Sequence, residues 1–255
     1  MQAIAGELQQ VESIFLEPEP ARRRARARIF TPDEELPFAG HPSLGAIAVL
    51  HLEAAAADGP WALQLGDRTV ALSARAGAGH VEVAMDQGPA SLGPPLGRAT
   101  SREVLAAFGL GEADLASGLP MRVASTGLPF LMVPVAGALG RARPARADME
   151  GLIRPLGAAF AYLVDPDTRE ARSWDNRGAV EDPATGSAAG PAAAWLVHHG
   201  RAEAGVPIVI RQGLRVGRPS EIVATVTRNG GDLVVGIEGS VVPVGEGWLQ
   251  VLPES

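Results

Sequence analysis

Two segments of the chain share one pattern of residues suited to chemistry. Each has an arginine two positions before an aromatic residue, then Glu-x-Pro-x-x-Gly, then an apolar stretch; they span residues 28–41 and 172–187. The residue directly after the glycine is His41 in the first segment and Ser187 in the second. The matched order of strand, glycine turn and apolar helix predicts two similar halves, each presenting a glycine turn at a helix N-terminus.

These turns have the properties of an anion-binding site. A helix N-terminus has unpaired backbone N–H groups and about half a positive charge. The glycines of the two turns, Gly40 and Gly186, let a ligand approach the backbone closely. Two such turns facing one another would hold an anionic substrate, such as a carboxylate, in a cleft between domains.

Three side chains at these turns could act on a bound substrate. His41 could donate or accept a proton near neutral pH, and Ser187 could hydrogen-bond a substrate carboxylate. Asp182 could pair with an amine or orient the histidine. A structural interpretation stays open beside this one: Asp182-Pro183 as a simple turn, Gly186 as a strand–helix corner and Ser187 as an N-cap.

Composition excludes several classes of catalyst. The 255 residues include no cysteine, and all 22 basic residues are arginine, so lysine is absent as well. Thiolate catalysis, cysteine-bound metals and lysine Schiff bases are therefore excluded. No HExxH, G-x-G-x-x-G, P-loop or G-x-S-x-G motif occurs, so no motif supports a metal site, nucleotide binding or a hydrolase.

Charge and hydropathy limit the binding partners that the sequence supports. The net charge is −7, and no uninterrupted apolar stretch reaches the roughly 18 residues of a membrane span. The N-terminus lacks the basic-then-apolar pattern of a signal peptide, which predicts a cytoplasmic protein. The one basic cluster, residues 22–28, is interpreted as an edge strand with a charged outer face. Nucleic-acid binding there is the alternative, but the acidic total and 4% aromatic content do not support it.

Strand-like and helix-like stretches alternate along the chain. Apolar periodicity predicts helices at residues 3–10, 42–52, 148–160 and 188–199, with Pro155 limiting the third, and a capping box at Thr100–Glu103 that opens a helix ending near Phe108. Strands are predicted at residues 26–30, 61–65, 69–75, 80–86, 121–124, 130–135, 161–164, 207–210, 221–227, 232–238, 240–244 and 248–252. Asn229-Gly230 predicts a hairpin.

Four ordered segments give the chain a family resemblance. They read RIFTPDEELPFAGHP (28–42), STGLPFLMVP (125–134), EDPATGSA (181–188) and QGLRVGRPS (212–220). With them the chain resembles the PhzF family of phenazine-biosynthesis-like isomerases over nearly its whole length. The resemblance implies the diaminopimelate-epimerase-like fold, a mixed α/β (α+β) fold of two pseudo-symmetric domains, each a curved, mostly antiparallel sheet around a central helix. We place the domains at residues 1–118 and 119–245, with a tail, 246–255, that could return to the N-terminal domain.

The resemblance also implies cofactor-free proton chemistry on a small carboxylate-bearing substrate, and a homodimer. In the related epimerases and racemases two cysteines move the proton, whereas this chain has none. The family's general acid/base is a glutamate near the N-terminus; the matching residue is Glu12, which by itself would be an ordinary surface glutamate. The implied roles are proton transfer by Glu12, holding or polarising of the substrate by His41 and Asp182, and binding of its carboxylate by Gly40, Gly186 and Ser187.

Two departures from the family pattern keep a second hypothesis open. Family members begin with a strand and a Gly-Asn-Pro-type segment, whereas this sequence starts at the helix that follows them, and Val11 stands where a small hydroxyl residue is common. The leading hypothesis is a cofactor-independent isomerase. The alternative is a shortened, non-catalytic family member that binds a small anion without turnover.

Overall fold

The computed structural model describes residues 1–251, which fold into a mixed α/β structure. The α-helices in this range are α1 (Gln2–Leu8), α2 (Gly40–Glu53), α3 (Arg98–Ala107), α4 (Met149–Ile153) and α5 (Gly186–His198). The β-strands are β1 (Ser13–Glu19), β2 (Arg24–Phe30), β3 (Glu35–Leu36), β4 (Gly59–Leu65), β5 (Arg68–Ala76), β6 (Val81–Leu92), β7 (Arg122–Ser125), β8 (Pro129–Pro134), β9 (Phe160–Val164), β10 (Ala171–Trp174), β11 (Glu181–Asp182), β12 (Ile208–Gln212), β13 (Ser220–Asn229) and β14 (Asp232–Val241).

These elements form two compact units. One comprises Met1–Asp86 and the segment from Glu238 onward, and the other is Gln87–Ile237. The sequence-based boundaries (1–118, 119–245 and 246–255) follow the repeat instead of compactness, and they stay a prediction.

In the first unit a mostly antiparallel sheet lies against helix α2. The strand order is β1-β2-β4-β5-β6, with only β2 and β4 paired in parallel. Helix α2 packs on β1, β4 and β5. Ile29, Ile47 and Leu63 are fully buried in this core. This packing fixes the N-terminal end of α2 close to the start of β1.

The second unit is built around helix α5. Strands β7 to β11 follow one another, with β8 and β9 parallel and the other pairs antiparallel. Strand β13 pairs with β12 and β14, and α5 packs on β7, β8, β9, β12 and β13. Every residue from Gly186 through Val197 is buried. A helix that is apolar on all sides is a central core helix, so the predicted fold class is confirmed.

Two predicted helix boundaries are wrong. Helix α3 begins at Arg98, and the Ser101 N–H bonds to the carbonyl of the N-cap Gly97, so the predicted capping box lies inside the helix. The helix predicted over 148–160 is only the short α4 and one following 3₁₀ turn. Pro155 lacks an N–H for the helical ladder, and Gly157 leaves the helix with a φ of 86°.

The basic cluster does not form an edge strand. Strand β2 lies between β1 and β4, and its arginines alternate with buried alanines. The arginines project from one face, where Arg24 pairs with Glu19 across the strands at 2.8 Å. The Arg24 guanidinium lowers the pKa of the Glu19 carboxyl below its usual value. The charged outer face was predicted correctly, but neighbouring strands occupy both edges.

Other strand predictions need smaller corrections. Strand β1 was not predicted. The strands predicted at 232–238 and 240–244 merge into one strand, β14, which ends at Val241, so residues 242–244 have no strand structure. The hairpin at Asn229-Gly230 is confirmed, with positive φ at Gly230 and Gly231. Residues 248–251 of the predicted strand 248–252 have no strand structure, and Leu252 lies outside the described residues.

The sequence repeat has matching geometry in the two units. In each unit an arginine makes a bidentate hydrogen-bonded pair with a glutamate of the neighbouring strand. Arg28 of β2 bonds to Glu35 of β3 at 2.8 and 2.6 Å, and Arg172 of β10 bonds to Glu181 of β11 at 2.9 and 2.6 Å. The glutamate lies across from the aromatic residue in both, as Phe30↔Glu35 and Trp174↔Glu181. The guanidinium also covers that aromatic ring, at 5.1 and 4.4 Å from its centroid.

The two pairs differ in burial. The side chains of Arg28 and Glu35 are 54% and 44% exposed, whereas those of Arg172 and Glu181 are 4% and 7% exposed. The buried guanidinium also donates to the carbonyl oxygens of Leu139 and Ala142, at 2.7 and 2.8 Å. Removing one charge of a buried pair leaves the other without compensation, while an exposed pair is screened by water.

This difference predicts unequal costs for the same substitution. We expect Glu181→Gln to lower the free energy of unfolding by about 3–5 kcal/mol, because Arg172 would stay buried and uncompensated. The matched variant Glu35→Gln should lose far less. Urea unfolding followed by circular dichroism measures both; equal losses in the two variants would contradict this interpretation.

A buried polar contact joins β9 to β12. Tyr162 is fully buried, and its hydroxyl donates to Oε1 of the fully buried Gln212 at 3.0 Å. Burial, with a contribution from the Asp182 carboxylate, raises the pKa of the Tyr162 phenol above its usual value.

Tyr162 is the one tyrosine of the sequence, so tyrosinate absorbance reports on it alone. Because the pKa is raised in the folded state, the neutral phenol contributes stability that is complete below about pH 10, the unfolded pKa, and decreases as the pH rises above it. We expect the phenol to ionise only when the protein unfolds in alkali. A tyrosinate signal with an ordinary pKa, while the circular dichroism remains native, would contradict the burial of this side chain.

Candidate active site

In the first unit the structure brings two predicted site residues together. Glu12 directly precedes β1, and His41 is the second residue of α2. The His41 Nε2 atom lies 3.2 Å from Oε2 of Glu12, and the two side chains are 39% and 14% exposed. The packing of α2 on β1 produces this contact. A carboxylate at hydrogen-bond distance from an imidazole can take up a proton and return it.

The start of α2 leaves backbone donors available beside this pair. The N-cap Ala39 has no side chain that could cap the helix, and the Ser43 hydroxyl donates to the Ala39 carbonyl at 2.7 Å. Within residues 1–251 no hydrogen bond occupies the N–H groups of Gly40 and His41. Free N–H groups at a helix N-terminus attract an anion.

In the second unit Asp182 closes a tight turn before α5. Its Oδ1 accepts from the Ala184 N–H at 3.0 Å, and its Oδ2 accepts from the Thr185 hydroxyl at 2.7 Å. Thr185 is the N-cap of α5, but its hydroxyl does not cap the helix. The turn predicted at Asp182-Pro183 is therefore present, and the N-cap interpretation of Ser187 is wrong because the helix begins one residue before it.

Ser187 and Gly186 stand at the first turn of α5. The Ser187 side chain is buried and the described residues provide no hydrogen-bond partner for its hydroxyl or its N–H. The Gly186 N–H, in contrast, bonds to the Ala184 carbonyl at 3.2 Å. At this end of the helix the free donors for an anion therefore belong to Ser187.

Two buried glutamines hold this turn, and neither was predicted as a site residue from the sequence. Gln212 contacts Asp182 and Thr185, and Gln87 donates to the Gly186 carbonyl at 3.0 Å. Gln212 begins one of the four segments that carry the family resemblance, so a signal for it was present. Gln87 is a single glutamine in a strand, and nothing in its sequence context indicates that it is buried.

Among residues 1–251 no group of three histidine, aspartate or glutamate side chains is placed to hold a metal ion. No helix in the same range is long and apolar enough to cross a membrane.

Comparisons with known proteins agree on one family. The family model of the phenazine biosynthesis-like proteins (PhzC-PhzF) matches residues 1–247. An uncharacterized isomerase of Mesorhizobium japonicum is 37% identical over 98% of this chain and 88% of its own length. A trans-2,3-dihydro-3-hydroxyanthranilate isomerase of Pseudomonas fluorescens is 34% identical over 98% of this chain and 87% of its own length.

A solved structure extends the likeness to three dimensions. A predicted epimerase from Pseudomonas aeruginosa superposes with a TM-score of 0.93 and 47% identity, covering 98% of this chain and 88% of that one. The epimerase-like α/β fold implied by the sequence is thus confirmed. The chain belongs to the phenazine biosynthesis-like (PhzF) family, and it is an isomerase.

Proposed function

We propose that this isomerase moves a proton on a small carboxylate-bearing substrate without a cofactor, and that Glu12 carries the proton. The contact between Glu12 and His41 at the open end of α2 is the observation that supports this most directly. A mostly buried carboxylate, an imidazole and free backbone N–H groups lie together where the start of α2 meets the start of β1.

The proton shift balances without any other reactant. Glu12 takes the proton from a carbon beside an activating group, and the C–H electron pair moves into the π-system of that group. The protonated Glu12 exchanges its acidic proton with solvent and then delivers a proton to a second carbon. No electron is gained or lost, so the step needs neither an oxidant nor a reductant.

The other site residues bind and polarise the substrate in this proposal. His41 polarises the substrate beside Glu12, and Asp182 accepts a hydrogen bond from one of its donor groups. Gly40 and Ser187 donate backbone N–H groups to carboxylate oxygens, and Ser187 adds its hydroxyl. Gly186 contributes through its lack of a side chain, since its N–H already has a partner.

Two relatives guide the choice of a test substrate. The isomerases of Pseudomonas fluorescens and Pseudomonas chlororaphis are named for trans-2,3-dihydro-3-hydroxyanthranilate, which contains a carboxylate beside an amine. This compound is a suitable first probe of the class proposed here. The predicted homodimer and cytoplasmic location rest on the sequence alone and stay predictions.

Glu12→Gln tests the role of the carboxylate. With trans-2,3-dihydro-3-hydroxyanthranilate in D₂O, we expect the wild type to form isomer carrying solvent deuterium and the variant to lose this exchange, because an amide cannot accept the proton. NMR and mass spectrometry of the product measure the deuterium. Glu17→Gln, on the exposed side of β1, is the matched control and should keep full activity. Unchanged exchange in Glu12→Gln would remove Glu12 from the mechanism.

Ser187→Ala tests carboxylate binding at α5. The variant keeps the backbone N–H but loses the hydroxyl, and one hydrogen bond to a charged group contributes about 1.5–3 kcal/mol. We therefore expect KM to rise about 10- to 100-fold with a smaller change in kcat. Ser91→Ala, an exposed serine on β6, serves as the control. A Ser187→Ala variant with the wild-type KM would contradict this role.

A further inference from the structure

The carboxamide of Gln212 is fully buried and uses both of its ends. Its Oε1 accepts from the Tyr162 hydroxyl at 3.0 Å and from the Thr185 N–H at 3.1 Å. Its Nε2 donates to the Asp182 carbonyl at 2.6 Å and to the Thr185 hydroxyl at 2.7 Å. A completely desolvated amide thus holds the turn that carries Asp182.

The backbone fixes which way this amide points. The Thr185 N–H can only donate, so the atom facing it must be the Gln212 oxygen. The Asp182 carbonyl can only accept, so the atom facing it must be the Gln212 nitrogen. A reversed amide would place the Gln212 oxygen against the Asp182 carbonyl oxygen, and the Gln212 NH₂ group against the Thr185 N–H.

The direction of the next bond follows from the first. Because the Thr185 hydroxyl already accepts from Gln212, its own proton is free to point at Asp182 Oδ2, which lies 2.7 Å away. With Oδ1 held by the Ala184 N–H, both oxygens of Asp182 are fixed in place as acceptors. Their remaining lone pairs can receive only a donor group.

The chain after Gln212 is fitted to the same turn. Gly213 has a φ of 78°, and a Cβ atom there would lie 2.1 Å from the Arg218 carbonyl and 2.8 Å from that of Pro183. The backbone that carries Gln212 therefore packs directly on the residue that follows Asp182. The amide has little freedom to reorient.

We propose that Gln212 is a positioning residue, which acts through Thr185 to hold the Asp182 carboxylate as a fixed hydrogen-bond acceptor for an amine or hydroxyl group of the substrate. The proposal rests on the proposed function, since it takes Asp182 as a residue that contacts the substrate. Neither Gln212 nor Thr185 touches the substrate in this scheme.

Thr185→Val and Thr185→Ser separate this role from simple packing. Valine keeps the shape of threonine but removes the hydroxyl that connects Gln212 to Asp182, whereas serine restores that hydroxyl without the methyl group. With trans-2,3-dihydro-3-hydroxyanthranilate we expect kcat to fall by up to about 100-fold in Thr185→Val, the scale of a misplaced contact in an active site. Thr185→Ser should recover most of that loss.

Gln212→Met gives a direct test where it folds. Its effect on kcat should largely disappear in the Thr185→Val background, because both substitutions break the same connection. Where Gln212→Met does not fold, the threonine pair decides alone. Wild-type kcat in Thr185→Val, or an equal loss in Thr185→Ser and Thr185→Val, would overturn the proposal.

A second measurement needs no activity and keeps the two proposals distinguishable. Without the Thr185 hydroxyl the Asp182 turn loosens, so we expect the Ala184 N–H to exchange with solvent deuterium faster in Thr185→Val, and at nearly the wild-type rate in Thr185→Ser. NMR measures this exchange in the free protein. An inactive wild type would contradict the choice of reaction or substrate, while unchanged Ala184 exchange in Thr185→Val would overturn the positioning by Gln212.

Discussion

The second unit depends on the buried bidentate pair of Arg172 and Glu181, and the first unit has an exposed counterpart in Arg28 and Glu35. The pair fixes a two-residue strand, and the proline and glycine that follow this strand leave the chain only a short route into the central helix. The helix N-terminus therefore lies a few residues after the paired glutamate. In the first unit the packing of α2 on β1 then brings His41 to Glu12, and in the second Ser187 follows the Asp182 turn.

The two units use this common frame for different tasks. The pair of Arg28 and Glu35 is exposed. The helix that follows it, α2, begins with free backbone N–H groups and with the contact between His41 and Glu12. The pair of Arg172 and Glu181 is buried, and the following turn is held by desolvated amides. In the proposed function the first half moves the proton, and the second half holds fixed acceptors and donors. The sequence contains no cysteine, so the proposal gives a carboxylate the role that thiols have in related racemases.

Periodic signals were enough to predict the central elements. The apolar stretches of α2 and α5 and the Asn229-Gly230 turn were predicted correctly, since helix and hairpin patterns are local. Strand β1 was missed because its sequence, SIFLEPE, contains a proline and two glutamates and lacks a clear alternation. The start of α3 was misplaced because a local capping pattern does not show that the Ser101 N–H bonds to the carbonyl of Gly97.

The site was less accessible from sequence. His41 and Ser187 followed from the repeat, but Glu12 was found only through the family resemblance, because a single glutamate before a strand has no distinguishing pattern. The burial of Gln212 and Gln87 depends on contacts between residues far apart in the chain, such as the bond from Gln87 to Gly186. A single sequence contains no periodic pattern that predicts such contacts.

A crystal structure with a bound ligand, such as 3-hydroxyanthranilate, the aromatic analogue of the probe substrate, would test the role of Glu12 at the reacting atoms. We expect a Glu12 carboxylate oxygen about 3 Å from a ring carbon, and a ligand carboxylate that accepts from backbone N–H groups at a helix N-terminus. A ligand bound with Glu12 directed away from it would show that Glu12 does not carry the proton, and a ligand carboxylate in solvent would rule out its binding at the helix N-terminus.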